Sequence, residues 1–153
     1  RFLYYIYIYM DKNYNIVYVD MVGDMFHINH VKFLKKCKKM CKFLYVGIHS
    51  DKTVTEYKRQ PIMTMEERIG VVKSCKYVNK VIENAPIVPN KLFLDKYNID
   101  MVVHAHDINE DEKYKYMYKE CVIENKFTRI DYQKGVSTTE VINRLLKRYY
   151  KKK

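Results

Sequence analysis

Apolar positions along the chain fall into two rhythms. Short apolar runs at Ile16-Val-Tyr-Val19, Phe43–His49, Tyr77–Ile82, Ile99–His104 and Phe127–Ile130 read as buried strands. Between them, apolar residues recur every three to four positions. That spacing predicts helices from the His27–His30 region to about Cys41, from Thr64 to Cys75, Asn90 to Asn98, Asp111 to Cys121, and Ser137 to Tyr149. Thr64 with Glu67, and Ser137 with Glu140, have the spacing of a capping box. Asp11 to Asn15 reads as a turn, Ser50 to Gln60 as a charged loop, and Pro86 with Pro89 as a loop. This alternation predicts an α/β domain with a mostly parallel, five-stranded core sheet and helices on both faces.

Ligands in such sheets sit beyond the carboxyl ends of the strands. Four post-strand segments, Asp20–His30, His49–Asp51, His104–Asp107 and Gly135–Thr138, are therefore expected to converge. The first is the organising stretch. It carries Asp20, Gly23, Asp24, His27 and His30 between a strand and a helix. A strand feeding a helix through a tight turn gathers unpaired backbone N–H groups and the positive end of the helix dipole, which favours phosphate. Two histidines three apart share one face of the first turn and can hydrogen-bond phosphoryl oxygens. Taken alone, such histidines are more often ordinary polar residues at a helix start.

Composition narrows the picture. The 153 residues suit one domain with a proper core, and an apolar fraction of 48% with three prolines and four glycines excludes a disordered chain. The net charge of +11 fits a field for an anionic ligand or an acidic membrane surface, and also a codon bias toward Lys, Asn, Tyr and Ile. A nucleic-acid module would gather its aromatic and basic residues on one surface; here the tyrosines run through the whole chain, so no nucleic-acid partner is expected. Cys37 and Cys41, one helical turn apart, can share a metal or lie as idle thiols, and reduced cysteines suit a cytosolic protein. Phe2–Met10 is too short to span a bilayer and too rich in Tyr for a signal-peptide core. Residues 1–15 read as an N-terminal strand or linker, 16–149 as the domain, and 150–153 as a basic tail. Because it opens on Arg1, the chain reads as a piece of a larger protein.

The motifs resemble those of the CTP-dependent cytidylyltransferases, most closely the ethanolamine-phosphate and choline-phosphate branches. Tyr18-x-Asp20-x-x-x-Asp24-Met-Phe-His27-x-x-His30 is similar to the family's D-G-x-F-D-L followed by H-x-G-H. Lys58 resembles the mobile-loop lysine, Glu67-Arg68 the family's E-R, Tyr77–Ile82 its Y-V-D-E-V-V, and Ala85-Pro86 its A-P. His104-Ala-His-Asp107-Ile resembles H-G-N-D-I, and Gly135-Val-Ser-Thr138 resembles the R-T-x-G-[IV]-S-T segment. The resemblance runs from about Ile16 to Leu146 with the motifs in order, and it implies a Rossmann-like nucleotidyltransferase fold. It further implies catalytic His27, His30 and Lys58, and nucleotide contacts from Asp20, Gly23, Asp24, Asn29, Arg68, Gly135, Val136, Ser137 and Thr138. Asp51, His104 and Asp107 are implied at the alcohol phosphate. Mg²⁺ with CTP is the implied cofactor, phosphoethanolamine or CDP-ethanolamine the implied partner ligand, and a cytoplasmic or membrane-peripheral setting the implied location.

The departures fall in the nucleotide site. Met21 and Asn29 stand where the family has glycines, Gly23 where it has Phe, Ile87 where it has an aromatic residue, and Tyr132 where it has arginine. Arg129 and Lys134 are the cations near Tyr132 that could stand in for the arginine, which spacing alone does not decide. Ethanolamine-phosphate cytidylyltransferases carry two such domains in tandem, and this chain resembles the second, degraded copy. Two readings follow: a weakened transferase domain, or a non-catalytic domain supporting an active copy in cis or as a homodimer.

Overall fold

The computed structural model describes residues 13–131 and 135–150. The expected Phe2–Met10 strand, Tyr132, Lys134 and the last three lysines lie outside the described residues. Five parallel strands, β1 (Tyr14–Met21), β2 (Cys41–Ile48), β3 (Lys80–Glu83), β4 (Met101–His106) and β5 (Phe127–Asp131), form one sheet in the order β3-β2-β1-β4-β5. This is the Rossmann-like arrangement, in which the strand order reverses at the central strand.

The helices are α1 (Ile28–Lys38), α2 (Asp51–Tyr57), α3 (Met65–Lys73), α4 (Lys91–Lys96), α5 (Asp111–Met117), α6 (Lys119–Ile123) and α7 (Thr138–Tyr150). Strand alternation sorts the core into two faces. Val17, Val19, Leu44, Val46, Ile48 and Val103 pack with Leu34 and Cys37 of α1 and Val72 of α3. On the opposite face, Ile16, Tyr18, Ile82 and Val102 pack with Leu94 of α4, with Tyr118 and with Cys121 of α6. Buried on both faces, Ile16–Val19 reads as a continuous apolar run, as a central parallel strand should.

Pairing of β1 with β2 extends from Tyr14↔Cys41 to Met21↔Ile48, whereas β1 and β4 pair only at Val17↔Met101 and Tyr18↔Val102. Beyond Tyr18 the two strands part. A crevice opens at that switch point, with Met21 on one side and Ala105 on the other.

Several boundaries differ from the sequence reading. Ser50–Gln60 is not a loop throughout: Ser50 caps α2, whose only buried residue is Val54. Tyr14 and Asn15, read as part of a turn, already belong to β1. Tyr77 and Val78 pack on the core from a turn, and β3 starts at Lys80. β4 is displaced toward its carboxyl end, because His104–His106 continue the ladder against Arg129–Asp131. The single helix expected at Asp111–Cys121 is broken at Tyr118 into α5 and α6. The two thiols of Cys37 and Cys41 are buried, and Cys41 Sγ donates to the Cys37 carbonyl at 3.4 Å. Among the described residues no group of three or more His, Cys, Asp or Glu is placed to hold a metal.

α7 differs from the other helices. Its start is tied down through Thr138 Oγ1 to the Asp24 carbonyl (2.9 Å) and the Glu140 N–H to Ser137 Oγ (3.2 Å). From Asn143 to Tyr150 every residue is exposed, including Leu145 at 63% and Tyr149 at 61%.

Candidate active site

The turn between β1 and α1 needs two left-handed residues. Gly23 has φ +71°, and a Cβ there would meet Val72 Cγ2 at 3.2 Å, so glycine is required for conformation and for space. Met25 adopts φ 46° with a full side chain, which is local strain beside the site.

His27 is the N-cap of α1, and its Nδ1 accepts from the Asn29 N–H at 3.3 Å. His30 Nδ1 accepts from the His27 N–H at 3.1 Å. The two rings, with centroids 4.0 Å apart, thus form a capping box built from histidines. With Nδ1 engaged as an acceptor, a neutral ring carries its proton on Nε2. Burial, reinforced by the neighbouring His27, pushes His30 down to about 4, and burial also lowers His27. At neutral pH the pair therefore presents two uncharged Nε2–H donors.

Both rings line a cavity of about 350 Å³, together with Met21, Asn29, Lys58, Ser137 and Thr138. That volume suits a small ligand. An adjoining hollow of about 140 Å³ is lined by Gly23, Asp24, His30, Lys58 and Thr138. Arg59, which sequence reasoning missed, borders both and donates to Thr139 Oγ1 at 3.3 Å. Its position beside Lys58 was the available signal.

Other expected residues are near the crevice but already engaged. The Asp24 carboxylate is buried and accepts from the Ile62 and Met63 N–H groups at 3.1 and 3.0 Å, pinning the loop before α3. Asn29 Nδ2 donates to the Val136 carbonyl at 2.8 Å, joining α1 to the segment that leads into α7. Gly135, at φ +127°, lies next to that amide: a Cβ there would come within 3.4 Å of Asn29 Nδ2.

Arg68 is fully buried and does not line either hollow. It donates to the Val22 carbonyl (2.5 Å), the His49 carbonyl (3.0 Å) and Asp51 (2.5 Å), bracing the ends of β1 and β2 and the start of α2. Asp51 is thereby paired. Asp107 caps a 3₁₀ turn at Ile108–Glu110 by accepting from the Asn109 N–H at 2.9 Å.

Asp20 and His104 belong to a second cluster, on the α4/α6 face of the sheet. Tyr118 donates to both Asp20 oxygens (3.0 and 3.2 Å), and His49 Nε2 stands 3.6 Å from Asp20. Burial acts to lower His49, but Asp20 and a contact from Nδ1 to the Ala85 carbonyl outweigh it and raise it. His104 lies between the rings of Tyr114 and Tyr118 (4.3 and 5.4 Å), and burial lowers it. The site residues thus fall into two groups: a crevice at α1 and α7 bordered by Lys58 and Arg59, and an acidic, aromatic cluster behind β1 and β4. Sequence reasoning gave His49 and His106 no role beyond segments expected to converge, and it missed Tyr118, which only the fold brings to Asp20.

Comparisons with known proteins agree with this architecture. A solved structure of a lipopolysaccharide core biosynthesis protein from Thermoplasma volcanium has the same fold, with TM-score 0.63 and 18% identity over 80% of this chain and 98% of its own. An ethanolamine-phosphate cytidylyltransferase of Dictyostelium discoideum is 35% identical over 85% of this chain and 36% of its own length. A choline-phosphate cytidylyltransferase of Arabidopsis thaliana is 32% identical over 87% of this chain and 45% of its own. The chain thus spans roughly a third to a half of the length of these curated relatives. The family model described as Cytidylyltransferase-like matches residues 23–144, from the glycine of the histidine turn well into α7, and the chain belongs to that family.

Proposed function

We propose that this domain carries the site of a CTP-dependent cytidylyl transfer to phosphoethanolamine, giving CDP-ethanolamine and pyrophosphate, and that this copy is weakened. The observation that carries the reading is the neutral pair of Nε2–H donors at the start of α1, facing a cavity bordered by Lys58 and Arg59.

In the reaction a phosphomonoester oxygen bonds to the α-phosphorus of CTP while the bond to the β-bridging oxygen breaks. Only negative charge moves between oxygens, so fixed donors and cations are sufficient and no covalent intermediate is needed. His27 and His30 would donate to the phosphoryl oxygens as charge builds. Lys58 and Arg59 would neutralise the α-phosphate and the leaving group. Ser137, Thr138 and the first turn of α7 would hold the outer phosphates. Mg²⁺ would enter as the counter-ion of the triphosphate rather than in a protein cage, because among the described residues no carboxylate or imidazole cluster fits one. Asp20 would face the ammonium end of the acceptor, with His104 close enough to be influenced by its charge.

Weakening is argued from side chains in the crevice. Asn29 reaches the Val136 carbonyl, and Met21 lines the cavity. The same Asn29 contact, with the uncovered apolar residues of α7, favours a second reading: a domain that supports an active copy, joined in cis or as a homodimer. Free thiols suit a cytoplasmic setting, and no described helix is long and apolar enough to cross a membrane.

Calorimetric titration tests the reading. CTP is expected to bind with Kd near the millimolar range, about −4 kcal/mol, and CDP-ethanolamine formation to be slow and lost in His30→Ala. A chain that binds neither CTP nor CDP-ethanolamine would move the assignment to the partner domain.

A further inference from the structure

The second cluster contains a proton relay that the transfer reading does not use. His106 is buried, its Nε2 lies 3.2 Å from Asp111 Oδ1, and its Nδ1 lies 3.1 Å from His104 Nδ1. A carboxylate only accepts, so His106 Nε2 carries the proton on that side. With both rings neutral, His106 Nδ1 is then bare and must accept, and His104 must donate from Nδ1. His104 Nε2 is left with a lone pair and no N–H. This is the opposite tautomer to that of His27 and His30.

The arrangement is held from several sides. Lys115 pairs with Asp111 at 2.8 Å, and Arg129 Nε lies 4.0 Å from the same carboxylate while its NH1 donates to the His106 carbonyl. Tyr114 packs tilted against both imidazoles, with ring centroids 4.3 and 4.4 Å away. His104 is half-buried, and no hydrogen bond from the described residues reaches its Nε2. The charged groups acting on it besides His106 are Asp20, Glu110 and Lys113.

A bare imidazole nitrogen in the field of a carboxylate is selective. The charge of Asp20, which already accepts from Tyr118, favours any cation nearby, but Nε2 rewards only a cation with an N–H to give. A primary ammonium has three such donors, and a trimethylammonium has none. We propose that His106 and Asp111 are positioning residues that hold His104 Nε2 as a hydrogen-bond acceptor, and that this acceptor selects phosphoethanolamine over phosphocholine. The inference rests on the transfer reading above and assigns its acceptor specificity.

The test uses the full chain. Long-range ¹⁵N–¹H correlation on the native protein should show His104 protonated at Nδ1. Calorimetry with phosphoethanolamine and phosphocholine should show a preference for the former. His106→Phe, which keeps the ring stacking and removes the relay, should lower that preference about tenfold, with phosphocholine affinity unchanged. His106→Asn, whose amide oxygen can accept the same proton, should restore it. An Nε2–H tautomer at His104 overturns the inference without any variant. So does native binding of phosphoethanolamine with a preference that His106→Phe leaves intact, or a loss that weakens both ligands alike; either result leaves the transfer reading standing. Failure of the native chain to bind either phosphoalcohol overturns the transfer reading, and the specificity assignment with it.

Discussion

The two halves of the site are assembled by different means. In the crevice, His27 gives its N–H to His30 Nδ1 and takes the Asn29 N–H on its own Nδ1, so a short stretch of chain makes its own geometry. In the cluster behind the sheet, Asp20 meets Tyr118 across 98 positions and His49 across the β1–β2 pairing. The first is built by local capping and the second by the fold. Local sites survive changes elsewhere in the core; sites built over long range depend on every element that brings them together.

Arg68 is where this contrast is most readily broken. It braces Val22, in the crevice turn, and His49, in the rear cluster, at once. Arg68→Met removes a fully buried cation and leaves the Val22 and His49 carbonyls without their bonds, while Asp51, 46% exposed, can turn to solvent. The expected loss is about 2–4 kcal/mol, read as a shift of the urea midpoint, with both clusters disturbed in NMR spectra. A loss confined to one cluster would show that the two are independent.

Opening the crevice sharpens the comparison from the other side. Met21→Gly, Asn29→Gly and Tyr132→Arg together should restore CTP binding, detected by calorimetry, at a stability cost of about 0.5–1 kcal/mol for each glycine in regular structure. Adding His30→Ala to that variant should reduce CDP-ethanolamine formation by about 10²–10³. A folded triple variant that binds no CTP would place the defect outside those positions.

Acid separates the halves by sign. The folded state holds His30 near 4, below the ordinary histidine value, so the unfolded chain takes up protons first as pH falls. The stability associated with His30 is full above about pH 6.5 and is lost down to about pH 4, by up to about 3 kcal/mol. His49 runs the other way: its raised value makes it stabilising at low pH, and that contribution is lost as pH rises through its folded value. Urea midpoints at pH 7, 5.5 and 4.5 should fall more steeply for the native chain than for His30→Ala.

The smallest expected effect is at the rear cluster. Tyr118→Phe removes one hydroxyl donor to Asp20 and should cost about 1 kcal/mol in urea unfolding, with CTP affinity unchanged. A change in CTP affinity would join the two halves energetically.

What the sequence made legible follows the same division. The strand–turn–helix at Tyr18–Leu34 and the capped start of α3 were readable because their signals are local. α2 was not: Asp51–Tyr57 has a single buried residue and no apolar rhythm, and only its Ser50 cap marks it. β4 was placed two residues early because His104 and His106 look like a loop until β5 supplies their ladder partners. Arg68 read as a ligand contact because a charged side chain gives no sign in sequence of being fully buried.

The parting of β1 and β4 bears on how the chain reaches this structure. β1 can pair with β2 almost as soon as α1 is formed, but its other neighbour arrives some 84 positions later, as in the bond from the Ile16 N–H to Asp100. Non-local pairings of this kind are slow, because loop closure must precede the contacts that compensate it. The β1–β2–β3 half has the means to assemble first, and the β4–β5 half then docks along a seam stitched by only two residue pairs. The crevice lies on that seam. A ligand spanning from His30 to Ala105 would therefore act as a clamp on the last step of folding, and slow unfolding of the chain should be its kinetic signature.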